Sequence, residues 1–161
     1  MGVHLVLDKL LYKLNKENTK KALNRLNSID AEVLYNILIK NCWKYGIQNK
    51  LLLKDKFGFE VELIGRLEKV FIKFQKSNKV VVYEYEDFYR KCEIINMDRA
   101  YYISTGTFAN DIYEVNHTRP LSSSIQLING VKFLKTQVSS KIFHSNEFNI
   151  YNIHFFKYLP Y

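Results

Sequence analysis

The stretch from Ala100 to Leu134, AYYISTGTFANDIYEVNHTRPLSSSIQLINGVKFL, decides the fold class of this chain. Its first apolar run stops at a polar turn over residues 104–107, which is typical of a buried strand that ends in a loop. A short helix is predicted over residues 109–115, and a second apolar run ends at Asn129-Gly130. A strand, a crossover helix and a second strand in this order predict a parallel strand pair, and therefore an α/β sheet.

The bulk composition predicts one globular domain with a polyanionic partner. The chain has 161 residues, of which 47% are hydrophobic, so a sizeable core is available. Its 24 basic and 16 acidic residues give a net charge of +8. That excess favours nucleic acid first and an anionic membrane surface second, although solvated lysines that bind nothing give the same count.

The sequence carries no secretory or membrane signal that would place the protein outside the cytoplasm. No apolar run approaches the ~18 residues of a membrane span, and the first residues lack a leader pattern. Cys42 and Cys92 are too far apart for a metal motif and are expected to be reduced thiols. We therefore expect a cytoplasmic protein with no membrane partner.

Helical patterns predict how the chain is organised around this unit. Two short helices, over residues 5–14 and 20–26, form a predicted N-terminal helical extension of residues 1–27. The domain itself is predicted over residues 28–161. It begins with an amphipathic helix that Ser28 caps and Gly46 ends. A further helix is predicted over residues 84–97, and an aromatic tail that adds a strand or packs on the core over residues 150–158.

Between these helices, three short strands are predicted over residues 50–54, 60–64 and 70–75. If the last two form a hairpin that is symmetric about Arg66 and Leu67, cross-strand partners have numbers that sum to 133, and Glu60 lies opposite Lys73. Alternation along the strands then puts Glu60, Glu62, Lys73 and Gln75 on one face. Residues 80–83 fit either a fourth strand or the entry to the next helix.

The order and spacing of these elements resemble the Mrr-like restriction endonuclease domain of the PD-(D/E)xK nuclease superfamily. That domain has a helix with Phe-Glu and Gly-Tyr, then Gly-x-Asp, a Gln-x-Lys strand, a Thr-Thr/Ser-Gly-x-Phe turn and Leu-Ile-Asp-Gly. The matching segments here are Ala31-Glu32 with Tyr45-Gly46, Gly58-Phe59-Glu60-Val61, Ile72-Lys73-Phe74-Gln75-Lys76, Ser104-Thr105-Gly106-Thr107-Phe108 and Leu127-Ile128-Asn129-Gly130.

The resemblance implies a single restriction-endonuclease-like α/β domain, in which a central mixed sheet is flanked by helices. It implies double-stranded DNA as the partner and Mg²⁺ as the cofactor of an active site. Glu60 would be the main metal ligand and Glu32 an auxiliary one. Lys73 would activate water or stabilise the transition state, and Gln75 would be a polar positioning residue.

The turn at Ser104 and Thr105 adds a candidate contact to a DNA phosphate. It follows a strand and precedes a helix, so backbone N–H groups could hold a phosphate there. The turn lacks the lysine and the full glycine pattern of a P-loop, and a plain turn is the simpler interpretation.

Departures from the family pattern leave the activity open. Glu60 replaces the aspartate, Lys73 stands at the glutamine position and Gln75 at the lysine position. We expect a DNA-binding protein with a diverged, inactive site, in a restriction, repair or mobile-element setting. The first alternative is an active Mg²⁺-dependent endonuclease with a migrated lysine. The second is a non-catalytic protein-interaction module on the same fold. A homodimer is compatible with each.

Overall fold

The computed structural model describes residues 16–143 of the chain, with side chains described for residues 19–136. Five α-helices, seven strands and a short 3-10 helix (Ser122–Ser124) make up this part. The helices are α1 (Lys16–Ser28), α2 (Ala31–Lys44), α3 (Val82–Ile95), α4 (Asn110–Thr118) and α5 (Gly130–Phe143). The strands are β1 (Gln48–Lys54), β2 (Gly58–Ile64), β3 (Lys69–Gln75), β4 (Lys79–Val80), β5 (Arg99–Ser104), β6 (Thr107–Phe108) and β7 (Ile125–Ile128).

A five-stranded mixed sheet in the order β1-β2-β3-β5-β7 forms the centre of the fold. The strands β1, β2 and β3 are antiparallel neighbours, whereas β3, β5 and β7 run parallel. The predicted parallel pair is therefore confirmed, with α4 in the crossover between β5 and β7. The α/β fold class with a central mixed sheet flanked by helices is also confirmed, and it is consistent with a restriction-endonuclease-like single domain.

Helices cover both faces of the sheet, and each face has its own apolar core. On one face, α1, α2 and α5 pack against Phe59, Val61 and Ile72. On the other face, α3 and α4 pack against Phe71 and Tyr102. Because β3 is buried on both faces, its sequence is apolar apart from Lys69, Lys73 and Gln75.

Two helices begin at residues other than those predicted. Ser28 does not cap α2, because it ends α1. Asp30 is the cap instead, and its Oδ1 accepts a hydrogen bond from the Glu32 N–H at 3.0 Å. Both alternatives for residues 80–83 hold in part: Lys79–Val80 pairs with β6, and the chain then enters α3 at Val82.

Some predictions fall beyond the described residues, namely the helix over 5–14 and the aromatic tail over 150–158. The division of the chain at residue 28 stays a prediction, and α1 buries Ala22 and Leu26 in the same core as α2. Within residues 16–143, no helix is long and apolar enough to cross a membrane.

Two glycines allow the close approach of three segments at the carboxyl end of β5. A Cβ on Gly106 would lie 2.2 Å from the carbonyl oxygens of both Ser77 and Asn78. A Cβ on Gly130 would lie 2.0 Å from the carbonyl oxygen of Thr105. The Gly130 N–H also donates to the Gly106 carbonyl at 3.1 Å, so the start of α5 is joined to this turn.

We expect Gly106→Ala to lower the free energy of unfolding by about 1–3 kcal/mol, because a methyl group there overlaps two backbone oxygens. Urea unfolding followed by circular dichroism measures the change. The control is Leu67→Ala at the hairpin tip, where the side chain is 97% exposed and a change within about 0.5 kcal/mol is expected. Equal stabilities of the two variants would contradict the close packing at Gly106.

Candidate functional site

The predicted hairpin register is confirmed and brings Glu60 opposite Lys73. These two residues are cross-strand partners, and every paired number in β2 and β3 sums to 133. Lys73 Nζ lies 3.2 Å from Glu60 Oε1, and the two side chains are 13% and 5% exposed. Glu60 is therefore a buried carboxylate that the sheet itself partly neutralises.

A second cation reaches Glu60 from α3. Lys91 Nζ donates to Glu60 Oε1 at 3.1 Å and to Oε2 at 2.8 Å. The same ammonium lies 3.0 Å from Asp87 Oδ2, one helical turn earlier. Partial burial lowers the pKa of Lys91, but the hydrogen bonds that its ammonium donates to Glu60 and Asp87 outweigh this effect and raise the pKa above the ordinary 10.5. Lys91 therefore stays charged at neutral pH.

Gln75 lies on the same face but binds other groups. Its Nε2 donates to Glu84 Oε1 at 2.6 Å, and its Oε1 accepts from the Tyr102 hydroxyl at 2.6 Å. Glu84 Oε2 in turn accepts from the Val81 N–H at 3.0 Å, which caps α3. Burial raises the pKa of Tyr102, so its hydroxyl remains a hydrogen-bond donor. Lys73 Nζ lies 5.0 Å from the centre of the Tyr102 ring.

The fourth residue of the predicted polar face, Glu62, pairs with Lys69 at 3.4 Å. Two cavities open along this face. One, of about 400 Å³, is lined by Glu60, Lys73 and Gln75 among others. Its neighbour, of about 490 Å³, is lined by both Glu60 and Glu62 and by Leu52 of β1. The predicted cluster of Glu60, Glu62, Lys73 and Gln75 thus forms the wall of a real groove between the hairpin and α3.

Glu32 lies elsewhere. Its Oε1 accepts from Lys54 Nζ at 2.5 Å, and the ammonium of Lys54 also lies 5.3 Å from the Tyr35 ring. Tyr35 contacts Phe59, whose side chain is on the sheet face that α2 covers, opposite to Glu60. The fold therefore does not bring Glu32 and Glu60 together on one face. The auxiliary metal-ligand role of Glu32 stays a prediction.

Ser104 and Thr105 are also not exposed to a ligand. Their exposed fractions are 0% and 3%. The Ser104 Oγ accepts from the Gly106 N–H at 3.2 Å, and the Thr105 Oγ1 accepts from the Ser77 N–H at 3.2 Å. Both hydroxyls hold the turn together, so neither presents a group to a phosphate on the surface. The sequence analysis assigned the phosphate contact to backbone N–H groups, of which that of Thr105 donates to the Gln75 carbonyl oxygen at 3.1 Å. The phosphate contact at this turn stays a prediction.

The donor set around Glu60 does not fit a divalent metal ion. Both carboxylate oxygens accept hydrogen bonds from the Lys91 ammonium, and Lys73 Nζ lies 3.2 Å from Oε1, so a metal ion would have to compete with two internal cations for this carboxylate. Over the described residues, no group of three or more His, Cys, Asp and Glu side chains could hold a metal ion. The carboxylate is instead compensated by Lys73 and Lys91.

Sequence reasoning missed the residues that α3 contributes, namely Glu84, Asp87 and Lys91. A signal for two of them was present, because Asp87 and Lys91 have the i, i+4 spacing of an ion pair on one helix face. Their approach to Glu60 depends on how α3 docks on the sheet, and no local pattern encodes that. The role of Tyr102 as the donor to Gln75 was missed for the same reason.

Comparison with known proteins finds remote structural similarities, among them the following two. No protein-family model and no curated protein matches the chain. The crystal structure of a protein of unknown function, AF1548, aligns with a TM-score of 0.40 at 12% identity over 62% of this chain and 55% of that one. The MspJI restriction endonuclease, solved in complex with a 27-mer oligonucleotide, aligns with a TM-score of 0.33 at 12% identity over 83% of this chain.

The chain spans about half the length of the first of these proteins and 30% of the second. Similarity at this level does not assign a family or an activity. The Mrr-like interpretation of the sequence stays a prediction, and the functional case depends on the chemistry of the site.

We expect Lys91→Met to lower the free energy of unfolding by about 1–2 kcal/mol at pH 7. Loss of a partner leaves a buried carboxylate undercompensated, and the effect is reduced because Lys91 is 33% exposed. Arg90→Met, at the exposed neighbouring position, is the control, and urea unfolding is the measurement.

The same difference should depend on pH in a defined direction. Because the folded-state pKa of Lys91 is raised, its contribution to the free energy of unfolding is fully present at a pH below the ordinary pKa of 10.5. That contribution is lost as the pH rises past the folded-state pKa. The gap between wild type and Lys91→Met should therefore narrow at strongly alkaline pH. A gap that is independent of pH, or as large for Arg90→Met, would contradict the charge-compensation role.

Proposed function

We propose that the chain is a DNA-binding protein whose nuclease-like site around Glu60 does not cleave DNA. The proposal that the site is inactive rests on the ammonium of Lys91, which binds both oxygens of Glu60 at 3.1 and 2.8 Å. In the resemblance from which the site was predicted, that carboxylate holds Mg²⁺. Here an internal cation takes the corresponding interactions.

The position of Gln75 supports the same conclusion. Its amide both donates to Glu84 and accepts from Tyr102. A lysine, which the family pattern has at this position, has no acceptor and so cannot accept the hydrogen bond that the Tyr102 hydroxyl donates here. The departure from the pattern is therefore part of a partly buried hydrogen-bond network and is not an isolated substitution.

Lys73 is poorly suited to replace the missing lysine. Its ammonium is held 3.2 Å from Glu60 and close to the Tyr102 ring. To reach a substrate water it would have to leave a pairing in which both groups are largely buried. Since a misplacement of about 1 Å costs ~10²-fold in rate, the migrated-lysine alternative is disfavoured.

The DNA-binding part rests on the net charge of +8, which attracts a polyanion at long range. A specific observation favours the protein-interaction module as the second candidate. The edge strand β1 exposes Leu51, Leu52 and Leu53 by 44%, 39% and 46%, and exposed apolar edges often bind other proteins. The two candidates differ in whether DNA binds at all.

We expect that the wild-type protein does not nick supercoiled plasmid in the presence of either Mg²⁺ or Mn²⁺. Agarose gel electrophoresis of the plasmid is the measurement. The physical reason is that Glu60 is compensated by two ammonium groups of the chain itself. Glu60→Ala and Lys73→Ala are tested in parallel as controls. Nicking that persists in both variants comes from a contaminating nuclease. Wild-type nicking that both changes abolish would overturn this proposal and establish the active-endonuclease alternative.

We expect the wild-type protein to bind a short DNA duplex with little sequence preference, as measured by fluorescence anisotropy. With about five phosphate contacts, the affinity should fall by roughly 10²–10³-fold between 50 and 200 mM salt, because counterions are released on binding. Two duplexes of unrelated sequence serve as the comparison. No binding at low salt with tens of micromolar protein would contradict the DNA-binding proposal and favour the interaction module.

A further inference from the structure

The helices on the two faces of the sheet carry opposite charge. On one face, α1 and α5 together contain seven basic residues and one acidic residue. On the other face, α3 and α4 together contain six acidic residues and two basic ones. The net charge of the helices therefore differs between the two sides of the sheet: it is positive for α1 with α5 and negative for α3 with α4.

The outer faces of α1 and α5 form a single surface, because the two helices are packed together. A Cβ on Gly130, at the start of α5, would lie 2.7 Å from the Leu23 side chain of α1. Both helices bury their apolar residues in the same core, including Leu26 of α1 and Phe133 of α5. Their outer surfaces therefore face the same side of the molecule.

The exposed side chains of this surface are cationic or neutral polar. The exposed cations are Lys20, Lys21 and Arg25 on α1 and Lys132 and Lys135 on α5. Lys21, Arg25 and Lys135 also have polar or electrostatic contacts within the chain. No acidic residue is present among residues 19–28 or 130–136, and Glu17 is the one acidic residue of the two helices, so α1 and α5 together keep an excess of cations.

The composition of the surface favours duplex DNA over a lipid membrane. Between Lys20 and Ser28, every exposed residue of α1 is Lys, Arg, Asn or Ser, which are the side chains that contact phosphates and sugars. A helix that binds a membrane needs an apolar face to insert into the lipid. The apolar residues Ala22, Leu23 and Leu26 are packed against the protein core instead.

We infer that the surface formed by Lys20, Lys21, Arg25, Lys132 and Lys135 on α1 and α5 binds the phosphate backbone of duplex DNA. This inference rests on the proposed DNA-binding function and specifies its location. It puts the DNA on the side of the sheet opposite to Glu60. Direct approach of a duplex to the α3 side meets the acidic residues of α3 and α4.

The test compares two triple variants with the same net charge. The first, Lys20→Gln, Lys21→Gln and Arg25→Gln, removes three cations from the proposed surface. The matched control, Lys50→Gln, Lys79→Gln and Arg90→Gln, removes two exposed lysines and one exposed arginine that lie outside α1 and α5. Anisotropy titrations of one duplex at several salt concentrations give the slope of log K against log[salt].

We expect the α1 variant to lose about 2.7 from the magnitude of that slope, at about 0.9 per phosphate contact, and the control variant to change little. Lys132→Gln with Lys135→Gln on α5 should lose about 1.8. Thermal unfolding verifies that each variant is folded. If the triple variant of α1 does not fold, the double variant of α5 tests the inference independently.

The outcomes separate the location from the function. A wild-type protein that does not bind DNA would overturn the proposed function and this inference together. Wild-type binding that the control variant weakens as much as the surface variants would overturn the location alone. Binding to vesicles that contain phosphatidylserine, without binding to the duplex, would overturn the assignment of DNA as the partner.

Discussion

The buried carboxylate of Glu60 has to be neutralised within the protein, and the structure around the hairpin depends on how this is done. An uncompensated charge with 5% exposure would cost several kcal/mol. Lys73 supplies one cation from the adjacent strand, and its position follows from the register of the sheet. Lys91 supplies the second from α3, so the docking of this helix is coupled to the charge of a residue in β2.

The apolar packing of α3 alone does not fix that docking. Phe88 stacks on Phe71 with ring centroids 5.3 Å apart and packs against Tyr102 at 4.8 Å, which anchors the helix over β3 and β5. The contact between Lys91 and Glu60 extends the attachment to β2, and the hydrogen bonds among Gln75, Glu84 and Tyr102 orient the first turn. Polar groups of this kind select one geometry, because any slip would leave a buried donor, acceptor or charge unpaired.

The sequence predicted those parts of the fold that local periodicity determines. The register of β2 and β3 followed from alternation and from the symmetric position of the hairpin tip, and the parallel pair of β5 and β7 followed from a strand–helix–strand order. Contacts across the sheet were not predictable in this way. Glu32 is the second residue of its helix. Whether it reaches Glu60 depends on which sheet face α2 covers, and α2 covers the other one.

The same limit applies to residues whose type, but not their burial, can be read from the sequence. Ser104 and Thr105 follow a strand and precede a helix, as phosphate-binding turns do. Gly106 and Gly130 draw the neighbouring segments so close that both hydroxyls are enclosed. Lys91 was missed for the opposite reason. It lies in a helix with many charged residues, where an exposed salt bridge is the ordinary interpretation.

The cations of α1 and α5 and the carboxylate of Glu60 lie on opposite sides of the sheet, which is not the arrangement that a nuclease needs. A phosphodiester nuclease needs its carboxylates on the side where the phosphates are bound, with a cation between the two groups to offset their repulsion. In this chain the carboxylates of α3 and Glu60 lie on the side of α3 and α4, and Lys91 already offsets part of their mutual repulsion internally. The cations of α1 and α5 lie on the other side of the sheet. A duplex bound at the proposed surface of α1 and α5 would be separated from Glu60 by the sheet, and the groove beside Glu60 would then be a structural network.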